Sequence, residues 1–329
     1  MENVDVIALG ELLIDFTNNG TSNQGNPIFE ANPGGAPCNV LSMLAKLGKK
    51  TAFIGKVGSD QFGKLLRQTI AEAGILNDYL LEDENVPTTL AFVHTTMEGD
   101  RNFSFYRNPG ADMMLTADEI SDDMVKLAKV FHFGTLSMTH ESVRQATMKA
   151  VKLAKDNRIL ISLDPNLREP LWDDLDNAKK QMLDAISYCD ILKISDNELE
   201  FLTGEEDYDV GIAKLRELYD IPLICLTLGK DGSRAYYKNL RVEVPGFRAD
   251  KVIDATGAGD TFCGCVLNYI CEKKDYDTDF PDFTENQLRE MLLFANAAAC
   301  LITMKKGAIK SMPNRECVEK LITSGNDYV

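Results

Sequence analysis

The chain has 329 residues, a formal charge of −16, 44% hydrophobic and 26% charged residues, the balance of a globular protein with a large core. Such acidity argues against a nucleic-acid backbone as the main partner, because proteins that bind one carry a basic face to replace condensed counterions. The opening MENVDVIALG holds two acids and no apolar run approaches the ~20 residues of a membrane span, so a cytoplasmic protein that binds neither nucleic acid nor membrane is expected.

Short β-branched runs then alternate with helical patterns. VDVIALG predicts the first strand, and Asp15 follows it shortly after. Residues 12 to 35 have little helical period. In NPGGAPCNVLSMLAKLG, Pro33, Gly34 and Gly35 precede a helix with Asn39 in its first turns. Two glycines let a ligand rich in hydroxyls approach the backbone, and Asn39 offers both donor and acceptor; alone, the run reads equally as a flexible turn before a capped helix. KTAFIGKVG predicts a strand and QFGKLLRQTIAEAG a helix. Between them GSDQFGKL nearly matches a phosphate-binding loop, but Leu65 stands where the hydroxyl belongs, so an ordinary amphipathic helix is expected. Residues 88 to 112 read as a hairpin, TLAFVHT and RNFSFYR joined by MEGD. With residues 12 to 35 it is expected to form a small sheet over the ligand crevice, a lid.

KVFHFG, RILISLD, DILKIS and PLICLTL predict further strands, with ESVRQATMKAVKLAKDN a helix among them. This βαβ alternation predicts a mostly parallel sheet with helices on both faces and ligands beyond the carboxyl ends of its strands. Polar groups gather at those ends: Asp164, Asn166 and Arg168 after one, Asn197 and Glu198 after the next, Thr227 and Gly229 after the last. The eight cysteines fall in apolar surroundings without a C-x-x-C pair, so reduced core thiols are expected and structural zinc is not.

VIDATGAGDTF, residues 252 to 262, joins the strand-like RVEVPGFRADKVID to the helical TFCGCVLNYICEKK. Gly257, Ala258 and Gly259 thus stand at a loop-to-helix junction, where free N–H groups and the helix dipole favour an anion. Asp260 would repel phosphate there unless it serves a second substrate. As a general base it takes a hydroxyl proton while the amides of Ala258 and Gly259 hold the transferring phosphoryl charge, which describes a kinase. By itself the run serves equally to start a helix after a tight turn. A late helix, ENQLREMLLFANAAACLITMKKG, has a small-residue face able to lie close against its neighbour.

GGAPCNVLSMLAKLG and DATGAGDTFCGCVL resemble the two signatures of the ribokinase family of sugar kinases, also called the PfkB family. The likeness continues through FIGKVGSDQFGKLL, DPNLREPLW, KISDNELEFLTG, LTLGKDGS and ANAAACLITMKKGA. It implies a ribokinase-like three-layer α/β/α sandwich with a small β-sheet lid, residues 1 to 329 forming one kinase domain, and ATP-dependent phosphorylation of a primary hydroxyl with Mg2+. NPGGAPCN and DPNLREPLW look most like fructokinases, which implies D-fructose converted to fructose 6-phosphate. Kinases of 2-keto-3-deoxygluconate, ribose or aminoimidazole riboside, and a sugar-binding regulator without chemistry, are the alternatives.

Carried over by position, the resemblance makes Asp260 the base and Gly257, Ala258 and Gly259 the anion hole, with Arg168 near the phosphate. Asp15, Gly34, Gly35 and Asn39 bind sugar hydroxyls, and Phe105 and Arg107 on the lid cover the sugar. Lys193, Asn197, Thr227, Gly229, Gly232 and Asn296 serve the nucleotide. Asn197 pairs with Glu200, the stricter fit to the family's spacing, or with the adjacent Glu198 as the group that organises Mg2+ through water. Asp254, Thr256, Lys305 and Gly307 correspond to a loop for K+, and the lid implies a homodimer.

Overall fold

A computed structural model describes residues 3–95, 101–275 and 279–324; the MEGD turn lies outside them. Its strands in chain order are β1 (Val4–Leu9), β2 (Leu13–Thr21), β3 (Pro27–Gly34), β4 (Thr51–Gly58), β5 (Ile75–Asp83), β6 (Leu90–Thr95), β7 (Arg101–Tyr106), β8 (Ala128–Gly134), β9 (Leu160–Asp164), β10 (Ile191–Ser195), β11 (Leu223–Thr227), β12 (Ser233–Tyr237) and β13 (Leu240–Val244). A nine-stranded sheet runs β13-β12-β11-β10-β9-β8-β1-β4-β5, and a four-stranded sheet runs β3-β2-β6-β7. The large sheet is parallel except where β12 joins β11 and β13. All six runs read as strands lie in it. β5 and β12 were not anticipated, and the strand-like 241–254 run is regular only to Val244.

Alternation along β1 explains the layers. Val6 and Ala8 point into an apolar cluster with Leu41, Phe262 and Leu292, whereas Ile7 and Leu9 point into another with Val151, Met182 and Leu199. Successive strand residues face opposite sides, so a sheet apolar on both faces must be covered by helices on both. The result is the three-layer sandwich expected. One cover holds the helices Ala36–Lys46, Ala258–Lys273 and Glu285–Thr303; the other holds Glu141–Asp156, Leu175–Ile186 and Asp196–Thr203.

The segments read as a small sheet do form one: β2 pairs antiparallel with β3 and parallel with β6, and β6 pairs antiparallel with β7. Asp15 is thus not a strand-end residue of the large sheet but the third residue of β2. GSDQFGKL serves the helix Gln61–Glu72, whose N-cap Asp60 accepts the Gly63 N–H. Seven cysteines are buried and Cys317 is exposed.

Candidate active site

The helices Ala36–Lys46 and Ala258–Lys273 meet at a glycine. A Cβ on Gly264 would stand 2.8 Å from the Met43 Cβ and 3.0 Å from the Val40 carbonyl oxygen. Gly264 lies one helical turn after Asp260, and Met43 one turn after Asn39, so this close approach also joins the two polar side chains. The Asn39 amide donates to Asp260 Oδ2 at 2.7 Å in buried surroundings. Burial raises the pKa of Asp260, against the Asn39 hydrogen bond and the nearby Lys193 and Arg168 cations. A buried carboxylate with raised proton affinity is suited to general-base work.

Two cavities share the start of the second helix. The first, about 330 Å³, is lined by Glu11, Asp15, Gly35, Asn39, Phe105, Asn166, Arg168, Lys193 and residues 255 to 260. The second, about 650 Å³ and more apolar, is lined by Thr227, Gly229, Gly232, Phe247, Val252 and Asn296. Ala258 and Gly259 line both. Gly257 is the N-cap, in the left-handed region at φ 79°, where a Cβ would also press on the Ala308 methyl at 2.9 Å. The positive end of a 16-residue helix thus stands where the cavities meet, and a phosphoryl group there can bridge them.

The wall between β9 and β10 carries charge. Lys193 Nζ donates to Asp164 Oδ1 at 3.0 Å, while buried Asp164 Oδ2 has no hydrogen-bond partner. Burial lifts the Asp164 pKa, with Lys193 opposing; burial would lower Lys193, but Asp164 and Glu198 outweigh it and keep the lysine cationic. Lys193 Nζ lies 3.1 Å from where a Gly259 Cβ would be, so its charge reaches the helix start.

Glu198 caps its own helix through Ser195 and accepts the Leu167 N–H at 2.8 Å. Burial pushes its pKa up, but Lys193 and these hydrogen bonds hold it below the ordinary carboxylate value. Asn197 and Glu200 are exposed whereas Glu198 is buried, and none of the three lines either cavity. The stricter spacing therefore pointed to the outer face of the helix, and Glu198 is the carboxylate turned inward.

Other expected residues divide similarly. Thr227, Gly229, Gly232 and Asn296 meet in the second cavity, although the Asn296 amide is engaged by Ser233 and the Val244 and Pro245 carbonyls. Phe105 lines the first cavity, but Arg107 does not: it is buried in an ion pair with Asp112 at 2.7 Å and donates to Thr139 and the Leu136 carbonyl. Gly34 lines neither of these two cavities; it makes room for Asp15, whose Oδ2 would lie 2.6 Å from a Cβ there. Asp254 accepts the N–H groups of Thr256 and Gly307, while Lys305 is exposed. Sequence reading missed Glu11, which follows β1 and Gly10 directly and reaches the first cavity.

The pfkB family carbohydrate kinase model matches residues 3–315. Probable fructokinase-2 of Arabidopsis thaliana is 42% identical over 310 residues, 94% of this chain and 92% of that protein. Among solved structures, a fructokinase with bound ATP from Xylella fastidiosa superposes with a TM-score of 0.87 at 30% identity, covering 98% of this chain and 99% of that one. A fructokinase double mutant from Vibrio cholerae O395, in a form with fructose, ADP and potassium ion bound, gives a TM-score of 0.85 at 29% identity over 98% of this chain and 99% of that one.

Proposed function

The chain belongs to the pfkB family of carbohydrate kinases, phosphotransferases acting on a sugar hydroxyl, and from that premise we propose that it transfers the γ-phosphate of ATP to the 6-hydroxyl of D-fructose. The observation that carries this reading is the helix start at Gly257 to Asp260, whose Ala258 and Gly259 line both a cavity with polar groups fit for a sugar and a larger apolar one fit for a nucleotide. Likeness to fructokinases, among them the ATP-bound and the fructose- and ADP-bound structures, supports these substrates.

Fructose lies against Asp15, Gly35 and Asn39 with Phe105 over it, and the nucleotide occupies the second cavity by Thr227, Gly229 and Gly232. Asp260 accepts the proton of the 6-hydroxyl as that oxygen attacks the γ-phosphorus in line. Charge on the transferring group is met by the Ala258 and Gly259 amides, with Lys193 and Arg168 beside them. Since phosphoryl transfer needs chiefly positioning and charge stabilisation, these groups supply most of what the reaction requires. Segments 12–35 and 88–112 act as a lid that excludes water in a single kinase domain spanning residues 1–329.

Asp164, whose Oδ2 has no hydrogen-bond partner, and the buried Glu198 are the carboxylates that would hold Mg2+ through water. Once bound, Mg2+ neutralises charge on the β- and γ-phosphates. Asp254, which accepts the Thr256 and Gly307 N–H groups, closes the loop that would hold K+ beside the anion hole. Ile28 and Tyr106, exposed on the small sheet, support a homodimer through that sheet, and the buried thiols support a cytoplasmic setting.

The test is ATP-to-ADP turnover, with Mg2+ and K+, against fructose, glucose, ribose, 2-keto-3-deoxygluconate, aminoimidazole riboside and adenosine. Fructose is expected to give by far the highest kcat/KM. A different best acceptor overturns the fructose assignment and leaves the Asp260 chemistry standing; sugar binding without turnover overturns both.

A further inference from the structure

The helix that presents Asn39 begins without a cap of its own. Its N-cap is Gly35, which has no side chain to offer, and a proline follows in the first turn. The missing acceptor comes from a residue 25 positions earlier: Glu11 Oε1 takes the Ala36 N–H at 2.7 Å. The turn is also folded tightly around this residue, since a Cβ on Gly35 would lie 2.4 Å from the Glu11 carbonyl oxygen. Glu11 is 4% exposed, and its residue lines the first cavity. Three residues beyond Ala36 comes Asn39, bonded to Asp260.

We infer that Glu11 is a positioning residue: by capping the Ala36–Lys46 helix from outside, it fixes the Gly35 turn and, through Asn39, the setting of Asp260. The inference rests on the sugar-kinase reading for its kinetic consequences, but the cap itself is a property of the protein without substrate. A local Ser or Asp cap would place a side chain at residue 35, in the space taken by the Glu11 backbone. Supplying the acceptor from the end of β1 keeps that position bare and ties the helix start to the central sheet.

Burial pushes the Glu11 carboxyl up to about 7, with Asp112 adding to the rise and Arg107 opposing it; the Cys38 thiol also senses its charge. Arg107 is already paired with Asp112. Protonated or ionised, the carboxyl keeps an oxygen that accepts the Ala36 N–H, so glutamine is the conservative replacement and alanine the disruptive one.

The experiment compares Glu11→Gln, Glu11→Ala, Asn39→Ala and the Glu11→Ala/Asn39→Ala double variant. Glu11→Ala is expected to raise the acceptor KM and lower kcat by roughly ten-fold or more together, leave the ATP KM within about two-fold, and move the acid limb of the kcat profile upward. Glu11→Gln restores all three to within about three-fold. On the acid limb, the double variant is expected to be no worse than Asn39→Ala alone. Exchange of the Ala36 amide, read by NMR in substrate-free protein, should accelerate in Glu11→Ala and not in Glu11→Gln. Full additivity of the two alanine changes, or an acceptor KM and acid limb that stay at wild-type values while only thermal stability falls, overturns the inference. An unchanged Ala36 exchange rate overturns it without reference to any substrate, whereas loss of turnover in the wild type counts against the kinase reading alone.

Discussion

Asn39 and Asp260 are 221 residues apart in the chain and 2.7 Å apart in the fold. The hydrogen bond stabilises the ionised form of a carboxylate whose burial favours the protonated one. Removing the amide in Asn39→Ala leaves burial less opposed, so the Asp260 pKa rises further and the base stays protonated to higher pH. The acid limb of kcat is expected to move up by roughly one unit, measured from pH–rate profiles. A limb that stays in place, or moves down, contradicts the role of this bond. Asp260→Ala should lower kcat by roughly 10² to 10⁴ with the fold intact.

Gly264 permits that contact. In Gly264→Val the new Cβ would meet Met43 at 2.8 Å and the Val40 carbonyl at 3.0 Å, and the second of these is backbone that cannot rotate away. The helices must separate, costing about 1 to 3 kcal/mol, and Asn39 moves with its helix. Denaturant unfolding and kcat should fall together. Full activity in a destabilised variant would show that Asn39 and Asp260 do not depend on this crossing.

Glu198 and Glu200 differ by two positions and by the face they occupy. Glu200→Gln is expected to leave turnover and its Mg2+ dependence within about two-fold, as befits an exposed side chain. Glu198→Gln loses a buried charge beside Lys193, and its Mg2+ requirement should rise by roughly ten-fold or more. Titrating activity with Mg2+ distinguishes them, and a large shift from Glu200 would restore the stricter sequence spacing.

Arg107 holds the root of β7 to Asp112, Thr139 and Leu136. Arg107→Met strands the Asp112 carboxylate in the interior, so a loss of about 3 to 5 kcal/mol is expected in urea unfolding, partly recovered when Asp112 is also replaced by Asn. If stability holds while only the acceptor KM rises, Arg107 is a sugar ligand after all and the anchoring role is wrong.

The glycine-rich signatures, the alternation of strands and helices, and the small sheet were legible because each depends on local chemistry. Glu11 was not, because a lone acid after a strand has the same local signature as a surface residue, and only a partner 25 positions away gives it a role. The choice between Glu198 and Glu200 was likewise undecided by motif spacing: it depends on which helix face meets β9 and β10, and of the two only Glu198 is buried.

By itself the sequence determined six strands of the large sheet and the main helices between them, where bare backbone precedes a helix, and which acid stands beside it, since period, steric size and backbone freedom act over a few residues. Tertiary structure alone decided that Asn39 reaches Asp260, that Glu11 caps a helix it does not belong to, and that Arg107 turns away from the cavity into an ion pair. Such pairings follow from how closely whole elements pack and which charges burial leaves uncompensated, and both are set by surfaces far apart in the chain.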